Sequence, residues 1–463
     1  MKISKNKNFK DEYCASIVKI GEIYPIEGRD RIAKTFVNGM SIVIGKNEFR
    51  TGDVAVYVAN ECVLPMMFLH KNNMFEDPEM NESKDVKGYI NNKCRIRVVK
   101  LGGIPSYGIL LNHTAIAYYL NEPEYQVTNY LEQHIGEDFD EINGERFCQV
   151  YVPAPKGGKY SKSNRDQKTK RLKRFKMLID GSFRFHYDTK GLEKYIDCIS
   201  PDDELDISVK LHGTSAIFAN ILTNMPTPWY KRVWRKYITK KEEYDQAFNI
   251  VYSSRTVIKN QYINKNQIPG GYYSDDLWGY WAERLKGLIP ENYCLYCEIV
   301  GYTTKGAHIQ KGYDYGCDSN AKDKSKIMVY RITDNGKELE ISDVISFGNQ
   351  LKDVLDYELE SDCIIEFPLL YHGTLGDLYP ELKNSTHWNE DVIQALKTRK
   401  EWYMEENEPL CTNKVPREGI VIRKCNDPVA EAWKLKCDKF RFREAKQIDA
   451  GEVDIEMEDT YGK

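Results

Sequence analysis

The run Leu205-Asp206-Ile207-Ser208-Val209-Lys210-Leu211-His212-Gly213-Thr214-Ser215 decides how the rest of the chain is read. Leu205, Ile207 and Val209 alternate with Asp206, Ser208 and Lys210, the period of two that a half-buried strand shows. Lys210 is therefore expected at a strand end with a glycine turn beside it, a placement that suits a lysine presented to a ligand. A free lysine amine is mostly protonated at neutral pH, so it becomes a nucleophile only where burial or a neighbouring cation favours the neutral form. Lys-x-x-Gly is common, and by itself it fits a surface lysine better than a nucleophile.

Downstream, β-rich runs at Ala216 to Asn220, Asn249 to Ser253, Tyr293 to Val300, Lys326 to Ile332, Gly419 to Arg423 and Ala432 to Leu435 alternate with helical stretches such as Leu277 to Leu285. The alternation is not the regular one of a doubly wound sheet, so an α+β domain is expected. Upstream, residues 12–112 read as short strands, among them Ala15 to Ile20, Met40 to Ile44 and Val54 to Val58, broken by Gly21, Gly28, Gly39, Gly45 and Gly52. Such strands fit a small all-β barrel of the OB type, whose exposed face commonly binds nucleic acid or oligosaccharide. Periodicity alone admits a sandwich as well.

The segment from Thr114 to Glu145 reads as more helical, and Pro153 to Arg174 as a linker or mobile loop rich in lysine and serine. The expected organisation is an OB-type domain with a helical extension over 1–150, a basic linker over 151–176 and an α+β domain over 177–463. The acidic tail past Ala445 is expected to fray.

With 463 residues, two or three domains are the prior expectation. Charged residues make up 29% and no apolar run approaches the roughly 18 residues of a membrane span, so no membrane partner is expected. The basic N-terminus lacks the apolar region of a secretory signal, and the twelve scattered cysteines suit a reducing compartment, so a cytoplasmic location is expected. Cys294 and Cys297 lack a second pair at zinc-finger spacing, and residues three apart on a strand point to opposite faces.

A net charge of -4 excludes binding of nucleic acid through bulk charge. The distribution is more informative. Ten Lys or Arg lie between Lys156 and Lys176, against one acid, Asp166. A second run holds Lys231, Arg232, Arg235, Lys236, Lys240 and Lys241, interleaved with Tyr230, Trp234 and Tyr237. Both suit phosphate contacts with aromatic stacking on bases, and both equally fit a solvated linker and a solvated helix face.

Five spaced motifs give Lys210 its meaning: Lys210-Leu211-His212-Gly213, Ser254-Arg255, Tyr296-Cys297-Glu298-Ile299-Val300-Gly301-Tyr302, Arg417-Glu418-Gly419-Ile420-Val421-Ile422-Arg423 and Trp433-Lys434-Leu435-Lys436. Their order resembles that of the covalent nucleotidyltransferases, the polynucleotide ligases and mRNA capping enzymes. Within that superfamily the histidine of the lysine motif, Glu-Ile-Val-Gly-Tyr and Arg-Glu-Gly-Ile-Val-Ile-Arg look like ATP-dependent RNA ligases. Only 27 residues follow Lys436 (463 - 436), too few for a C-terminal barrel. Ile44 to Asp53, Val56 to Val58 and Cys94 to Gly102 look like the N-terminal OB module of one RNA-ligase subclass.

The resemblance implies a nucleotidyltransferase domain of antiparallel sheets and helices behind the barrel, with ATP and Mg²⁺ or Mn²⁺ as cofactors. It implies RNA as substrate, with nicked duplex RNA and RNA/DNA hybrids in view, and a role in RNA repair; a monomer is expected. Lys210 would attack the α-phosphate, forming a lysyl-adenylate; AMP would pass to a 5′-phosphate and leave as the 3′-hydroxyl joins. Lys434 and Lys436, two apart on a strand, would share one face and reach the phosphates, and would disfavour the charged form of Lys210. Arg255 would hold a ribose hydroxyl or the acceptor 5′-phosphate, and Glu298 would accept from ribose hydroxyls. Glu418 would ligate the metal, and Tyr330 would stack on adenine or serve as a core aromatic. Val209, Leu211, His212 and Gly213 complete the expected nucleotide site.

Val209 stands where some RNA ligases have a glutamate that reads adenine, which leaves adenine recognition to backbone groups. The spacing of 45 positions from Lys210 to Arg255 (255 - 210) is wide, and the excess coincides with the second basic run. It reads as an insertion over 222–250 that touches the nucleic-acid backbone, or as a solvated helix. The rival readings are an mRNA guanylyltransferase, which the barrel-first order opposes, and a non-catalytic OB-containing nucleic-acid binding protein.

Overall fold

Alternation along Glu204–Lys210 is realised as a strand with two different faces. Leu205, Ile207 and Val209 enter a core shared with Ile420, Ile422, Trp433 and Leu435, while Asp206, Ser208 and Lys210 point to the other side. The computed structural model of the protein describes residues 1–152, 175–185, 187–240, 242–263, 276–359, 365–427 and 431–451. The basic linker expected over Pro153 to Arg174 lies outside the described residues, as does Lys241. Phe175–Lys176, assigned to the end of that linker, pairs as a strand with Tyr262–Ile263.

Two sheets build the C-terminal part. The first has the order Lys190–Gly191, Ala432–Lys436, Gly419–Lys424, Glu204–Lys210 and Leu369–Thr374. The second runs Asp245–Ser253, Thr214–Met225, Tyr293–Gly301, Ser325–Asp334 and Lys337–Glu338, with Ile365–Glu366 parallel to Ser325–Asp334. All pairings but Lys190–Gly191 and Ile365–Glu366 are antiparallel, which fits the α+β reading. Helix Leu277–Arg284 buries Leu277, Trp278, Trp281 and Ala282 against the second sheet, where they meet Ala216, Phe218 and Leu295. Cys294 and Cys297 lie in different cores, on opposite faces of one strand, as their spacing requires.

The N-terminal part is built from strands that include Ala15–Lys19, Arg29–Val37, Met40–Gly45, Val54–Val58 and Ile109–Leu111. Val54–Val58 reads as a continuous apolar run because both faces are covered. Ala55 and Tyr57 join an inner core with Ile42, Ile44 and Val98, whereas Val56 and Val58 meet Ile116, Val127 and Leu131 of the helices. The helical segment is confined to His113–Leu120 and Glu124–Gln133; the acidic stretch after it forms short strands at Asp138–Phe139, Glu141–Ile142 and Glu145–Arg146 instead. Asp138 and Phe139 extend the sheet beside Ala15 and Ser16, and tertiary pairing overrides the local preference.

The tail past Ala445 does not fray at its start. Asp438–Asp449 is a helix that buries Phe440, Ala445 and Ile448, and its last residue pairs with Arg95 at 2.8 Å and Arg97 at 3.3 Å in the N-terminal part. A carboxylate at a helix C-terminus opposes the macrodipole, so the two arginines are what make Asp449 favourable there. Among the described residues no helix is long and apolar enough to cross a membrane.

Candidate functional site

Period two places the expected residues on one sheet face. Ser208 and Lys210, Val421 and Arg423, and Ala432, Lys434 and Lys436 all project away from the core that holds Leu205, Ile420, Trp433 and their neighbours. Register does the rest: Lys210 is opposite Gly419, and Gly419 is opposite Lys436, so the two lysines flank a position with no side chain. A Cβ at Gly419, whose φ is +152°, would lie 2.0 Å from the Leu435 carbonyl oxygen. Only glycine fits there.

Glu418, the residue before that glycine, reaches both lysines. Its Oε1 is 2.7 Å from Lys210 Nζ and 3.8 Å from Lys436 Nζ, and Oε2 is 3.3 Å from His212 Nδ1. Burial pushes the Glu418 carboxyl up, but Lys210, His212 and Lys436 outweigh it and hold the group far below the usual carboxylate range. Oε2 is buried and makes no hydrogen bond of good geometry. An ionised buried carboxylate whose second oxygen meets, among the described residues, only the His212 ring at 3.3 Å fits an oxygen-preferring divalent cation such as Mg²⁺ or Mn²⁺.

Lys434 and Lys436 do share a face, but each has its own counter-ion. Lys436 Nζ is 2.7 Å from Glu444 on the last helix, and Lys434 Nζ is 3.1 Å from Glu12 of the N-terminal part. Burial lowers the Lys434 ammonium; Glu12 opposes this, and Lys436 and Lys210 add to it, leaving the group below its ordinary value. Nothing in the local sequence around Glu12 marks it as a neighbour of Lys434.

The second sheet forms the opposite wall of a cleft. Its lining includes Ser215, Glu298, Tyr330 and Arg331, facing Ser208, Val209, Lys210, Leu211, Val421, Arg423 and Ala432 across the gap, with Arg255 and Tyr187 at the edge. Glu298 Oε1 accepts from the Gly213 amide at 3.1 Å, and the Gly213 carbonyl accepts from Gln310 Nε2 at 3.0 Å. A Cβ on Gly213 would lie 2.4 Å from the Ile299 oxygen, so the turn after the lysine presses on the strand that carries Glu298. His212 is fixed edge-on between Tyr313 and Phe440, and its amide donates to the Tyr315 hydroxyl at 2.7 Å.

Leu211 and Val209 line the cleft while their side chains belong to the core. The Val209 amide is given to the Pro368 carbonyl at 2.8 Å and its side chain to the core, which leaves the carbonyl as its group for a ligand. Tyr330 lines the same cleft, and its carbonyl accepts from Arg423 at 2.9 Å. Arg255 is paired with Asp188 at 2.7 Å, an exposed carboxylate that a stronger anion can displace. Arg331 and Arg423 add two cations that motif reading did not single out; Arg331 is held by Glu338 at 3.0 Å. The motifs around Glu298 and Glu418 stop short of Arg331, and Arg423 stood inside a quoted motif without a role.

A family model described as an OB-fold domain matches residues 14–113. No curated protein matches the chain in sequence. Among solved structures, a variant of Naegleria gruberi RNA ligase with ATP and Mn is 17% identical, covers 93% of this chain and 98% of that one, and superposes with a TM-score of 0.52. An apo variant of that ligase gives the same values, and a variant with AMP and Mn is 18% identical with a TM-score of 0.50. The chain therefore has an OB-fold module followed by an α+β part, and shares over nearly its whole length the fold of the Naegleria gruberi RNA ligase.

Proposed function

We propose that this protein is an ATP-dependent RNA ligase that joins 3′-hydroxyl and 5′-phosphate ends through a lysyl-AMP on Lys210 and a polynucleotide-adenylate, in RNA repair. The observation that carries the reading is the convergence of Lys210, Glu418, Lys436 and Lys434 on one sheet face, opposite Glu298, in a fold shared with RNA ligases.

In the first step the Lys210 nitrogen forms a bond to the α-phosphorus of ATP as the bond to the bridging oxygen breaks and pyrophosphate leaves. The nitrogen can attack only with a free lone pair, so the Lys210 ammonium must leave its ion pair with Glu418 and give up a proton to solvent first. Glu418 would hold a divalent cation, which when bound would supply positive charge to the phosphates. Lys434 and Lys436 neutralise charge on the same groups, and the reaction is one in which positioning and charge dominate. Glu298 orients the ribose while fixing the Gly213 turn, Tyr330 and the Val209 main chain border the base, and Arg255 exchanges Asp188 for a phosphate or ribose hydroxyl. An oxygen of the RNA 5′-phosphate then bonds to the α-phosphorus as the bond to Lys210 breaks, and the 3′-hydroxyl, losing its proton, bonds to the 5′-phosphorus as AMP leaves.

The test is mass spectrometry of the purified protein after exposure to ATP and Mg²⁺. The expected result is a gain of one AMP that disappears in Lys210→Ala, followed by sealing of nicked duplex RNA, an RNA/DNA hybrid or single strands. Absence of the adduct, its survival in Lys210→Ala, or labelling by GTP in place of ATP overturns the reading.

A further inference from the structure

The insertion between Thr214–Met225 and Asp245–Ser253 is a helix mounted the wrong way round for a surface helix. Trp229–Trp234 is α-helical and Arg235–Thr239 continues it as a π-helical turn. Its arginines face the protein: Arg232 pairs with Glu243 and Arg235 with Asp245, both at 2.5 Å, and the Arg232 guanidinium lies 4.5 Å from the centre of the Tyr244 ring. The apolar side chains therefore face solvent. Trp229 is 75% exposed, Trp234 60% and Tyr237 68%, and Tyr230, Val233 and Ile238 are exposed with them. At helical spacing these six occupy one half of the circumference, with Lys231 and Lys236 at its borders and Lys240 just beyond the end.

We propose that this face binds the unpaired bases of an RNA strand. Three observations favour that occupant. Four aromatic rings offer stacking surface that any base can use, and stacking needs bases not already paired. The lysines at the border complement a phosphate backbone. The helix also caps the hairpin whose root reaches the cleft, since Thr214–Met225 starts four residues after Lys210 and Asp245–Ser253 ends two before Arg255. From the pair Ile217 and Ser253 to the pair Met225 and Asp245 is eight steps, or about 26 Å at roughly 3.3 Å per residue. In naming that strand as the flank of the break being sealed, the inference rests on the proposed function. It adds that the substrate carries a single-stranded segment well away from its reacting end.

The experiment compares the full chain with Trp229→Ala/Trp234→Ala/Tyr237→Ala, and separately with Lys231→Ser/Lys236→Ser/Lys240→Ser. Binding is measured to an RNA of about 20 unpaired nucleotides, longer than the roughly 4–16 that one single-strand module covers, and to a blunt RNA duplex of equal length. Adenylyl transfer from ATP is followed in parallel. The aromatic variant is expected to lose roughly tenfold or more in single-strand affinity, with duplex binding and adenylyl transfer unchanged. The lysine variant is expected to flatten the salt dependence by about two units of slope. Equal single-strand affinity in variant and parent overturns the proposal. So does equal loss on the duplex, or a loss confined to vesicles of phosphatidylserine and phosphatidylcholine, which would make the face a membrane anchor. Adenylyl transfer absent from parent and variants alike sinks the ligase reading, while a selective single-strand loss still supports an RNA-binding face.

Discussion

Lys210 Nζ and Glu418 Oε1 stand 2.7 Å apart on neighbouring strands of one sheet, so the candidate nucleophile is held in an ion pair by the candidate metal ligand. The carboxylate therefore restrains the amine, and a cation held there would compete with the amine for it. Glu418→Gln is expected to lower adenylyl transfer on the order of 10²-fold, the usual cost of deleting one charge-stabilising group. It should also change the acid limb of stability. The Glu418 carboxyl lies below its ordinary value, so its contribution is complete above the unfolded carboxylate pKa of about 4.3 and is lost as pH falls further. Urea midpoints of the two proteins should differ at neutral pH and converge in acid; a constant gap would refute the linkage.

Glu12 favours the ammonium form of Lys434, which burial and its neighbouring lysines disfavour. Glu12→Gln removes that support, so Lys434 should lose its proton at lower pH. The expected outcome is an alkaline limb of adenylyl transfer displaced toward neutrality, with near-equal rates at pH 7 and a roughly threefold to tenfold deficit at pH 9. A pH-rate profile superimposable on the parent's would show that Lys434 does not need its partner.

Gly213→Ala tests how tightly the turn is pressed on the second sheet. The new methyl would meet Ile299 O at 2.4 Å and Glu298 Cγ at 2.8 Å, and neither is the end of a flexible side chain. Overpacking of this kind costs about 1–3 kcal/mol, and displacement of Glu298 should weaken nucleotide binding as well. Calorimetric unfolding and ATP titration should therefore fall together. A stable variant with intact ATP affinity would contradict the geometry.

Arg417 and Glu408 form a fork of two bonds, at 3.0 and 2.7 Å, almost wholly out of water, and Arg417 also donates to the Trp402 carbonyl at 2.6 Å. Removing one partner strands the other. Arg417→Met and Glu408→Gln are each expected to cost about 3–5 kcal/mol in denaturant unfolding, and the double variant clearly less than their sum. Strict additivity would mean that the two do not act as a pair.

Much of the strand framework was legible because a period of two survives in Glu204–Lys210 and Ala432–Lys436, and the same period put Lys434 and Lys436 on one face. Glu298 and Glu418 stand out in the sequence through their motifs, and the fold sets Glu418 beside Lys210 and Glu298 beside the Gly213 turn. What escaped is tertiary. Glu12 is 422 positions from the lysine it pairs with, and no local pattern encodes such a contact. The start of the acidic tail was read by its charge, whereas Phe440, Ala445 and Ile448 supply a buried helix face and the arginines that receive Asp449 lie in another part of the chain. Val209 lines the cleft beside Lys210, with its side chain turned into the core by strand alternation. The second basic run is legible as cations interleaved with aromatics, but not which of them face out: its arginines are spent on Glu243 and Asp245, and the aromatics are displayed.

The reach of Glu12 to Lys434 means that the N-terminal part is not baggage ahead of a self-sufficient site. A protein cut down to its second half would keep every motif and still be miswired, with the Lys434 ammonium stripped of its carboxylate and the terminal helix stripped of its anchor on Arg95. Grafting a foreign barrel in its place would restore bulk without restoring that wiring.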